Sequence, residues 1–297
     1  MAQPRTSQTP GKFLRFTAWL SFVLNVVIIG TGGAVRLTGS GLGCSEWPLC
    51  TKDSLVTTPE MGIHGLIEFG NRTISGPILL AAIIVLVLSL RLQLRRKELT
   101  VLAATVLGLV LTQALLGGMV VWFHLNANLV GVHYFLSVVL VAITAAYLVR
   151  MYEPAGPRVR AVSPSFASFT HLTSFMMLLA VIFGIFTTGA GPHSGDISVI
   201  RDGFDASLLA HLHSWPGYIT AGLLILLVVW SIQAEYPTTR WGVALLLLMT
   251  VQILVGVYQA RNGLPAFAVG VHMVLASLTV ATLVVLIMRM KTVKTAF

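Results

Sequence analysis

The residues best suited to chemistry in this sequence are its histidines, which concentrate on one side of the predicted helices. Seven of the eight fall in loops on that side or in the nearest third of a helix, and only His171 begins a helix on the opposite side. Histidines without a common role would divide between the two sides, so the bias predicts chemistry at one face. The seven are His64, His124, His133, His193, His211, His213 and His272.

Two of these histidines, His133 and His272, occupy equivalent depths in two apolar segments. A histidine inside a membrane helix is costly and normally faces the bundle interior, where it needs a partner. His211 or His213, on another segment, offers one to His272. Two helices that each present one imidazole can clamp a haem, whereas zinc would also recruit a thiolate or carboxylate. The alternative is a pair of polar residues that hydrogen-bond between helices.

The position in the first half that matches His213 is Asn71, 142 residues earlier. One half therefore has two histidines and the other a histidine and an asparagine, which predicts one permanently held cofactor and one exchangeable ligand. Glu68 lies one helical turn before Asn71 on the same face. It is either an acid/base or charge-stabilising group beside a substrate, or a residue that caps the helix start or pairs with Arg72.

A single polar loop contains both cysteines, Cys44 and Cys50, in the phrase CSEWPLC. Two cysteines are too few for a disulfide framework, but they suit one small bridge on an oxidising face. Such a bridge contributes little stability because its loop is small, whereas a strained, exposed bridge exchanges electrons readily. A structural and a redox role both remain open.

Transmembrane helices must position these residues. The chain has 297 residues, of which 56% are hydrophobic and 10% charged, against roughly 25% charged residues in a soluble domain. Eight uncharged runs are long enough to cross a bilayer, which takes about 20 apolar residues, and they predict an all-α integral membrane protein with eight transmembrane helices. The runs are roughly Phe16–Val35, Thr73–Leu90, Leu99–Phe123, Leu129–Val149, Ala167–Thr188, Ala206–Gln233, Trp241–Ala260 and Pro265–Met288.

The positive charge predicts an orientation in the membrane. The net charge is +9, but the basic residues flank apolar runs, so they indicate topology and not nucleic-acid binding. Of the 19 Lys and Arg residues, 14 fall on the side of the membrane that contains both termini and five on the side that contains the cysteine loop. The side with more basic residues is normally cytoplasmic, so both termini are expected in the cytoplasm and the cysteine loop outside. Residues Met1–Lys12 are polar, unlike a cleavable signal peptide. The five basic residues on the outer side are Arg36, Lys52, Arg72, Arg201 and Arg261.

The two halves of the sequence are similar to each other. Four residues recur 139 residues later, two of them within the phrases VGVHYFLS and VGVHMVLA, and TGSG recurs as TGAG 150 residues later. Because each half has an even number of helices, the repeats have parallel orientation. We predict two four-helix bundles, at 1–151 and 165–297, joined by a cytoplasmic linker at 152–164. The recurring residues are Gln113, Gly117, Gly131 and His133, and then Gln252, Gly256, Gly270 and His272.

Taken together, four phrases resemble the haem A synthase family, including its bacterial members with a first-loop cysteine pair. They are GGAVRLTGSGLGCSEWPLC in the first loop, IEFGNR at the start of helix two, VGVH in helices four and eight, and TGAGPHSGD after helix five. The resemblance covers essentially the whole chain from helix one to helix eight. Each phrase alone is weak, but the combination is specific.

This resemblance implies an oxidoreductase that converts the C8 methyl group of haem O to the formyl group of haem A, for terminal oxidases. It implies a haem b held by His213 and His272, haem O bound near His133 and the helix-two motif, and catalysis by Glu68. The implied partners are haem O, the enzyme that produces it, the lipid bilayer and an electron acceptor that the sequence does not identify.

One position departs from the family pattern, which has a histidine three residues after the glutamate where this chain has Asn71. An amide is a poor iron ligand. Either His133 alone holds haem O, or His64, one turn before Glu68, takes the place of the missing histidine ligand. Two other functions remain open, a non-catalytic cytochrome b that carries electrons and a haem transporter. A cytochrome b would leave Glu68 and the cysteines without a role. Broken helices at the bilayer midplane would favour a transporter, but the polar groups of this sequence cluster near the outer face.

Overall fold

A computed structural model describes residues 10–92, 96–196, 198–199 and 205–294. Arg201, assigned above to the side with less positive charge, lies outside them. Within these ranges, eight α-helices are long and apolar enough to cross a membrane, which confirms the predicted all-α integral membrane protein. The elements are α1 Lys12–Leu37, a 3-10 turn Pro59–Met61, α2 Gly62–Arg91, α3 Lys97–Trp122, α4 Ala127–Tyr152, β1 Arg158–Arg160, α5 Pro164–Ala190, α6 Ala206–Gln233, α7 Thr239–Arg261, α8 Ala266–Arg289 and β2 Lys291–Val293.

Helix α2 begins well before the predicted boundary. The apolar run starts at Thr73, but the helix starts at Gly62, so Glu68 and Asn71 lie inside it. The charges that ended the predicted run, Glu68 and Arg72, are four residues apart and form an ion pair of 2.6 Å. Because residues at this spacing are neighbours on a helix surface, the pair lets the helix continue through two charged residues.

Polar caps fix the start of three other helices. The side chain of Asn126 accepts hydrogen bonds from the backbone at the start of α4, and Asp205 does the same for α6. Ser163 caps α5, whose first residue is Pro164. Each cap satisfies backbone N–H groups that the first turn leaves unpaired, and proline at the first position lacks such a group.

The helices pack in sequence order, and the two halves meet along α1, α4, α5 and α8. Neighbours in sequence are in contact within α1–α4 and within α5–α8, while α4 and α1 both pack against α8. Ile29, Val141 and Ala281 belong to the buried cluster at this junction. The division into repeats at 1–151 and 165–297 stays a prediction.

The outside of the bundle is apolar. Phe16, Leu115 and Leu254 are each more than half exposed, although such side chains are normally buried. Extensive exposed apolar surface marks contact with a membrane or a partner, and here it agrees with the eight spanning helices.

Opposite the cysteine loop, the bundle is closed by a short sheet and one buried carboxylate. Strand β1 pairs antiparallel with β2, so the linker is joined to the C-terminal segment. Glu153 is buried and forms ion pairs with Arg150 at 2.5 Å, Arg158 at 3.4 Å and Arg289 at 3.3 Å. Below, this end of the molecule is called the linker end, and the end with Cys44 and Cys50 the loop end.

Candidate functional site

A single cavity of about 940 Å³ contains all five of the predicted haem-site residues. Glu68 and Asn71 come from α2, His133 from α4, His213 from α6 and His272 from α8. Pockets for drug-sized ligands span roughly 300–1,000 Å³, so this cavity has room for a large ligand. Because its walls come from both halves of the chain, the two predicted sites open into one space.

His213 and His272 face each other across this cavity. Their ring centres are 6.0 Å apart and the ring planes are 85° apart. Two imidazoles that bind one metal ion from opposite sides, each through a bond of about 2 Å, bring their ring centres to about 6 Å. The observed separation therefore fits a metal ion held between them, as in a haem with two axial histidines.

The backbone of α5 fixes the tautomer of His213. Its Nδ1 atom lies 2.8 Å from the carbonyl oxygen of Ala180, and because a carbonyl only accepts, Nδ1 must carry the proton. Nε2 then keeps its lone pair for a metal, which is the usual arrangement of a metal-binding histidine. No sequence pattern points to Ala180, because a backbone carbonyl is available from any residue type.

A glycine on α5 makes room for the same ring. A Cβ atom at Gly184 would lie 2.9 Å from Cε1 of His213, which is closer than carbon atoms approach without displacement. Only glycine at this position leaves the imidazole where it is. Gly184 was another residue that sequence reasoning missed, since it stands in an apolar run without any motif.

His211, the rival of His213, is placed differently. It is exposed at the edge of the cavity, and its Nδ1 lies 2.8 Å from the carbonyl oxygen of Ser207 in its own helix. Two residues along a helix turn the side chain by about 200°, so both histidines cannot face His272. The geometry favours His213 as the partner.

In the first half, His133 has no histidine opposite it among the described cavity residues. Asn71 lines the cavity, and its Oδ1 lies 2.7 Å from the hydroxyl of Thr31, which donates to it. His64, the other candidate ligand, is exposed and its Nδ1 lies 2.9 Å from the Ser40 hydroxyl. His64 is not one of the described residues that line the cavity, so the geometry leaves His133 with Asn71.

Glu68 is only 5% exposed, and it lies where the cavity meets the cysteine loop. One carboxylate oxygen pairs with Arg72, and the other lies 3.4 Å from the backbone N–H of Cys44. The pairing with Arg72 that the sequence left open is thus present. It does not remove Glu68 from the cavity wall, so a role beside a substrate remains compatible with it.

Arg72 fastens the cysteine loop to α2. Its guanidinium donates to the carbonyl oxygens of Cys44 at 2.8 Å, Glu46 at 2.7 Å and Leu49 at 3.0 Å. Hydrogen bonds from a charged donor contribute about 1.5–3 kcal/mol each. The loop is therefore held by the same side chain that neutralises Glu68.

Cys44 and Cys50 form a disulfide inside this loop. The two residues are 0% and 1% exposed. A redox role assumed an exposed bridge that a partner can reach, and the observed burial argues against it. The bridge instead fixes the loop that carries Trp47, which lines the cavity and packs edge-on against Trp122 with ring centres 5.4 Å apart.

The two glycine-rich phrases meet at the loop end. The backbone N–H of Gly41 donates to the carbonyl oxygen of Gly195 at 2.8 Å, and the side chain of Arg36 donates to the carbonyl of Thr188. A Cβ atom at Gly41 would lie 2.8 Å from Leu125. The segments that begin with TGSG and TGAG thus join the loops of the two halves beside the cavity.

The sequence is similar to one family profile and to several named proteins. The profile of the COX15-CtaA family, described as cytochrome oxidase assembly protein, matches residues 15–285. A protein of Bacillus pumilus named heme A synthase is 27% identical over 74% of this chain and 73% of its own length. A protein of the same name from Halalkalibacterium halodurans is 25% identical over 93% and 96%, and one from Macrococcus caseolyticus is 32% identical over 45% and 44%.

Replacing Arg72 should expose the disulfide to reductants. In Arg72→Gln, the loop loses the guanidinium that bonds three of its carbonyl groups, so the buried bridge should open to solvent. In the folded parent protein, we expect a thiol reductant to leave the disulfide intact until denaturant is added. In the variant, the same reductant should open the disulfide without denaturant. The measurement is the mass added by a maleimide to Cys44 and Cys50. The control is Lys52→Gln, because Lys52 is an exposed residue of the same loop. Equal labelling of the two variants would contradict the role of Arg72.

Proposed function

This chain belongs to the COX15-CtaA family of cytochrome oxidase assembly proteins, and we propose that it is a haem A synthase. In this proposal the enzyme is an oxidoreductase that converts the C8 methyl group of haem O to the formyl group of haem A. The observation that carries the proposal is the shared cavity, in which a pair of histidines suited to a redox haem opens into the space that contains Glu68 and His133.

His213 and His272 would hold a haem b. The 6.0 Å between their ring centres and the proton fixed on Nδ1 of His213 both fit that group. When bound, haem b would supply a one-electron carrier next to the substrate site. Arg36 and Arg261 line the same cavity and provide positive charge, which the carboxylate groups of a haem require in a membrane interior.

Haem O would bind as substrate in the first half, with His133 as its one strong axial ligand. Asn71 stands where the second ligand would be, and its carbonyl oxygen already accepts a hydrogen bond from Thr31. An amide oxygen is a weak ligand for iron, so the substrate would be held firmly from one side. Such binding suits a molecule that must enter and leave.

The reaction removes four electrons from one carbon atom. Two water molecules would supply the oxygen: a first hydroxylation gives the alcohol and a second gives a gem-diol, each with release of two electrons and two protons. Loss of one water from the gem-diol then gives the aldehyde. Glu68 would accept a proton released from the reacting carbon or its hydroxyl group, or stabilise positive charge on the substrate. Arg72 holds this carboxylate at the cavity wall. The electrons pass to an acceptor outside the chain.

We propose that the linker end faces the cytoplasm, since most of the basic residues lie there. The loop end, with the disulfide and the cavity residues near it, would then face the outside, where a disulfide is stable. Haem O has a large apolar macrocycle beside its carboxylate groups, and it would arrive through the bilayer from the enzyme that makes it.

The two histidines of α6 can be told apart by substitution. His213→Ala and His272→Ala should each abolish the low-spin haem b, because one axial ligand is lost. His211→Ala should keep it, and His133→Ala should keep most of it. The measurement is the absorption spectrum of the purified protein with its haem extracted and quantified. A normal spectrum in His213→Ala would assign the ligand role to His211.

Replacing Asn71 by histidine should change the coordination of the substrate. Asn71→His places an imidazole across the cavity from His133, so bound haem O should become six-coordinate and low-spin, whereas the parent should bind it high-spin. Electron paramagnetic resonance of the protein loaded with haem O distinguishes the two states. Asn71→Gln, which lengthens the amide without adding a strong ligand, is the control. A low-spin signal in the parent would contradict binding from one side.

Replacing Glu68 by glutamine should stop the reaction and leave the haem b in place. Glu68→Gln keeps the size of the side chain but removes its charge and its ability to accept a proton. We expect haem O or its alcohol to accumulate and haem A to fall at least tenfold in cells that supply haem O, as measured by chromatography of extracted haems. A tenfold loss corresponds to about 1.4 kcal/mol in the barrier.

Glu60→Gln is the control for this experiment, because Glu60 is exposed and precedes the same helix. Haem A at the parental rate in Glu68→Gln would remove the catalytic role. Loss of haem b in that variant would make Glu68 a structural residue. Absence of haem A from the parent as well, with haem b bound normally, would favour a cytochrome b that only carries electrons.

A further inference from the structure

We infer that Gln113 and Gln252 are positioning residues, each of which accepts the Nδ1 proton of one haem-ligating histidine, His133 and His272 respectively. This inference rests on the proposed function, since it takes the two histidines as iron ligands. It assigns a purpose to the glutamines that recur 139 residues apart in the two halves.

Each glutamine contacts the backbone of its histidine from the neighbouring helix. Nε2 of Gln113, on α3, donates to the carbonyl oxygen of His133 at 2.8 Å, and Nε2 of Gln252, on α7, donates to that of His272 at 3.1 Å. Because a carbonyl accepts and does not donate, the NH2 group must be the one that faces it. The amide oxygen Oε1 is therefore directed elsewhere.

Four buried atoms around these contacts lack a partner. They are Oε1 of Gln113 and of Gln252, and Nδ1 of His133 and of His272. Each half thus has one unpaired acceptor, on the glutamine, and one possible donor, on the histidine. The two residues are already joined by the hydrogen bond from the glutamine side chain to the histidine carbonyl. Buried polar groups are nearly always hydrogen-bonded, and lipid offers no substitute.

When a metal binds Nε2 of a histidine, the Nδ1 proton of that histidine needs a hydrogen-bond acceptor. With its lone pair on Nε2 given to iron, a neutral imidazole keeps its proton on Nδ1, and that proton requires an acceptor. His213 shows the arrangement completed, with Nδ1 2.8 Å from the carbonyl of Ala180. For His133 and His272, the unpaired acceptor on the facing helix is the glutamine Oε1, and pairing them satisfies all four atoms.

A glycine one turn after each glutamine faces the same imidazole, since residues four apart share a helix face. A Cβ atom at Gly256 would lie 3.0 Å from Cε1 of His272, which is tighter than an ordinary contact, whereas one at Gly117 would lie 3.5 Å from Cε1 of His133, an ordinary contact. The glutamine and glycine thus meet one imidazole in α3 and one in α7, and in α7 the glycine also provides the space for the ring.

The halves differ in one further contact. Nε2 of Gln113 also donates to the hydroxyl of Ser137 at 2.7 Å, and the matching residue in the second half is Ala276. The amide on the substrate side is thus held by two acceptors and that on the haem b side by one. The orientation of Gln252 therefore depends more on its bond with the histidine, so the haem b side is the better one to test.

The test uses the full-length protein purified with its haem b, and the readout is the midpoint potential of that haem. A hydrogen bond from Nδ1 makes the imidazole a stronger donor and favours ferric iron. Gln252→Met, which keeps the length but has no amide, should therefore raise the potential and shift the low-spin electron paramagnetic resonance signal. Gln113→Met, the matched change in the other half, should leave both unchanged.

Gln252→Glu separates positioning from mere packing. A neutral carboxyl group has both a donor and an acceptor, and a carboxylate is a stronger acceptor than the amide, so in either state the potential should lie below that of Gln252→Met. If Gln252→Met binds no haem, Gln252→Glu must recover it, and failure to do so overturns the inference. A parental potential and signal in Gln252→Met also overturns it. Retention of haem b in His272→Ala would instead refute the proposed ligand and hence the proposed function.

Discussion

The ion pair between Glu68 and Arg72 is the interaction on which the loop end of this structure depends. A carboxylate within a spanning helix is costly unless a partner is supplied inside the protein, and Arg72, one turn later, supplies it at 2.6 Å. The same guanidinium binds three carbonyl groups of the cysteine loop, including that of Cys44. One charged pair therefore keeps an acid at the cavity wall and closes the loop over it.

The need for internal partners extends to the rest of the cavity. Lipid cannot hydrogen-bond, so each polar group in the bundle must be satisfied by the protein or by what the protein binds. His213 is satisfied by the carbonyl of Ala180, and Asn71 by the hydroxyl of Thr31. His133 and His272 are left with an unpaired Nδ1. Two of the unpaired groups in the cavity therefore belong to proposed iron ligands.

The two halves use similar elements for different purposes. His272 has an imidazole opposite it, and this suits a permanently bound group with two strong ligands. His133 shares the cavity with the amide of Asn71, which in the proposed function suits a ligand that is exchanged. Because both histidines line one cavity, a carrier of electrons and its substrate would be neighbours without an intervening layer of protein. In this proposal the difference between a cofactor site and a substrate site would depend on one residue, Asn71.

The sequence alone determined the eight helices, because length and apolar composition leave few other ways to satisfy a backbone in a bilayer. It also brought Glu68, Asn71, His133 and His272 forward, through their rarity in apolar segments. The uncharged run of α2 begins only at Thr73, whereas the helix begins at Gly62, because the pairing of Glu68 with Arg72 inside the helix could not be seen from composition. That the ring of His213, and not that of His211, faces His272 is visible only in the tertiary structure, as is the burial of the disulfide. Both depend on which surfaces of separate helices and loops meet, and spacing along one chain does not specify that.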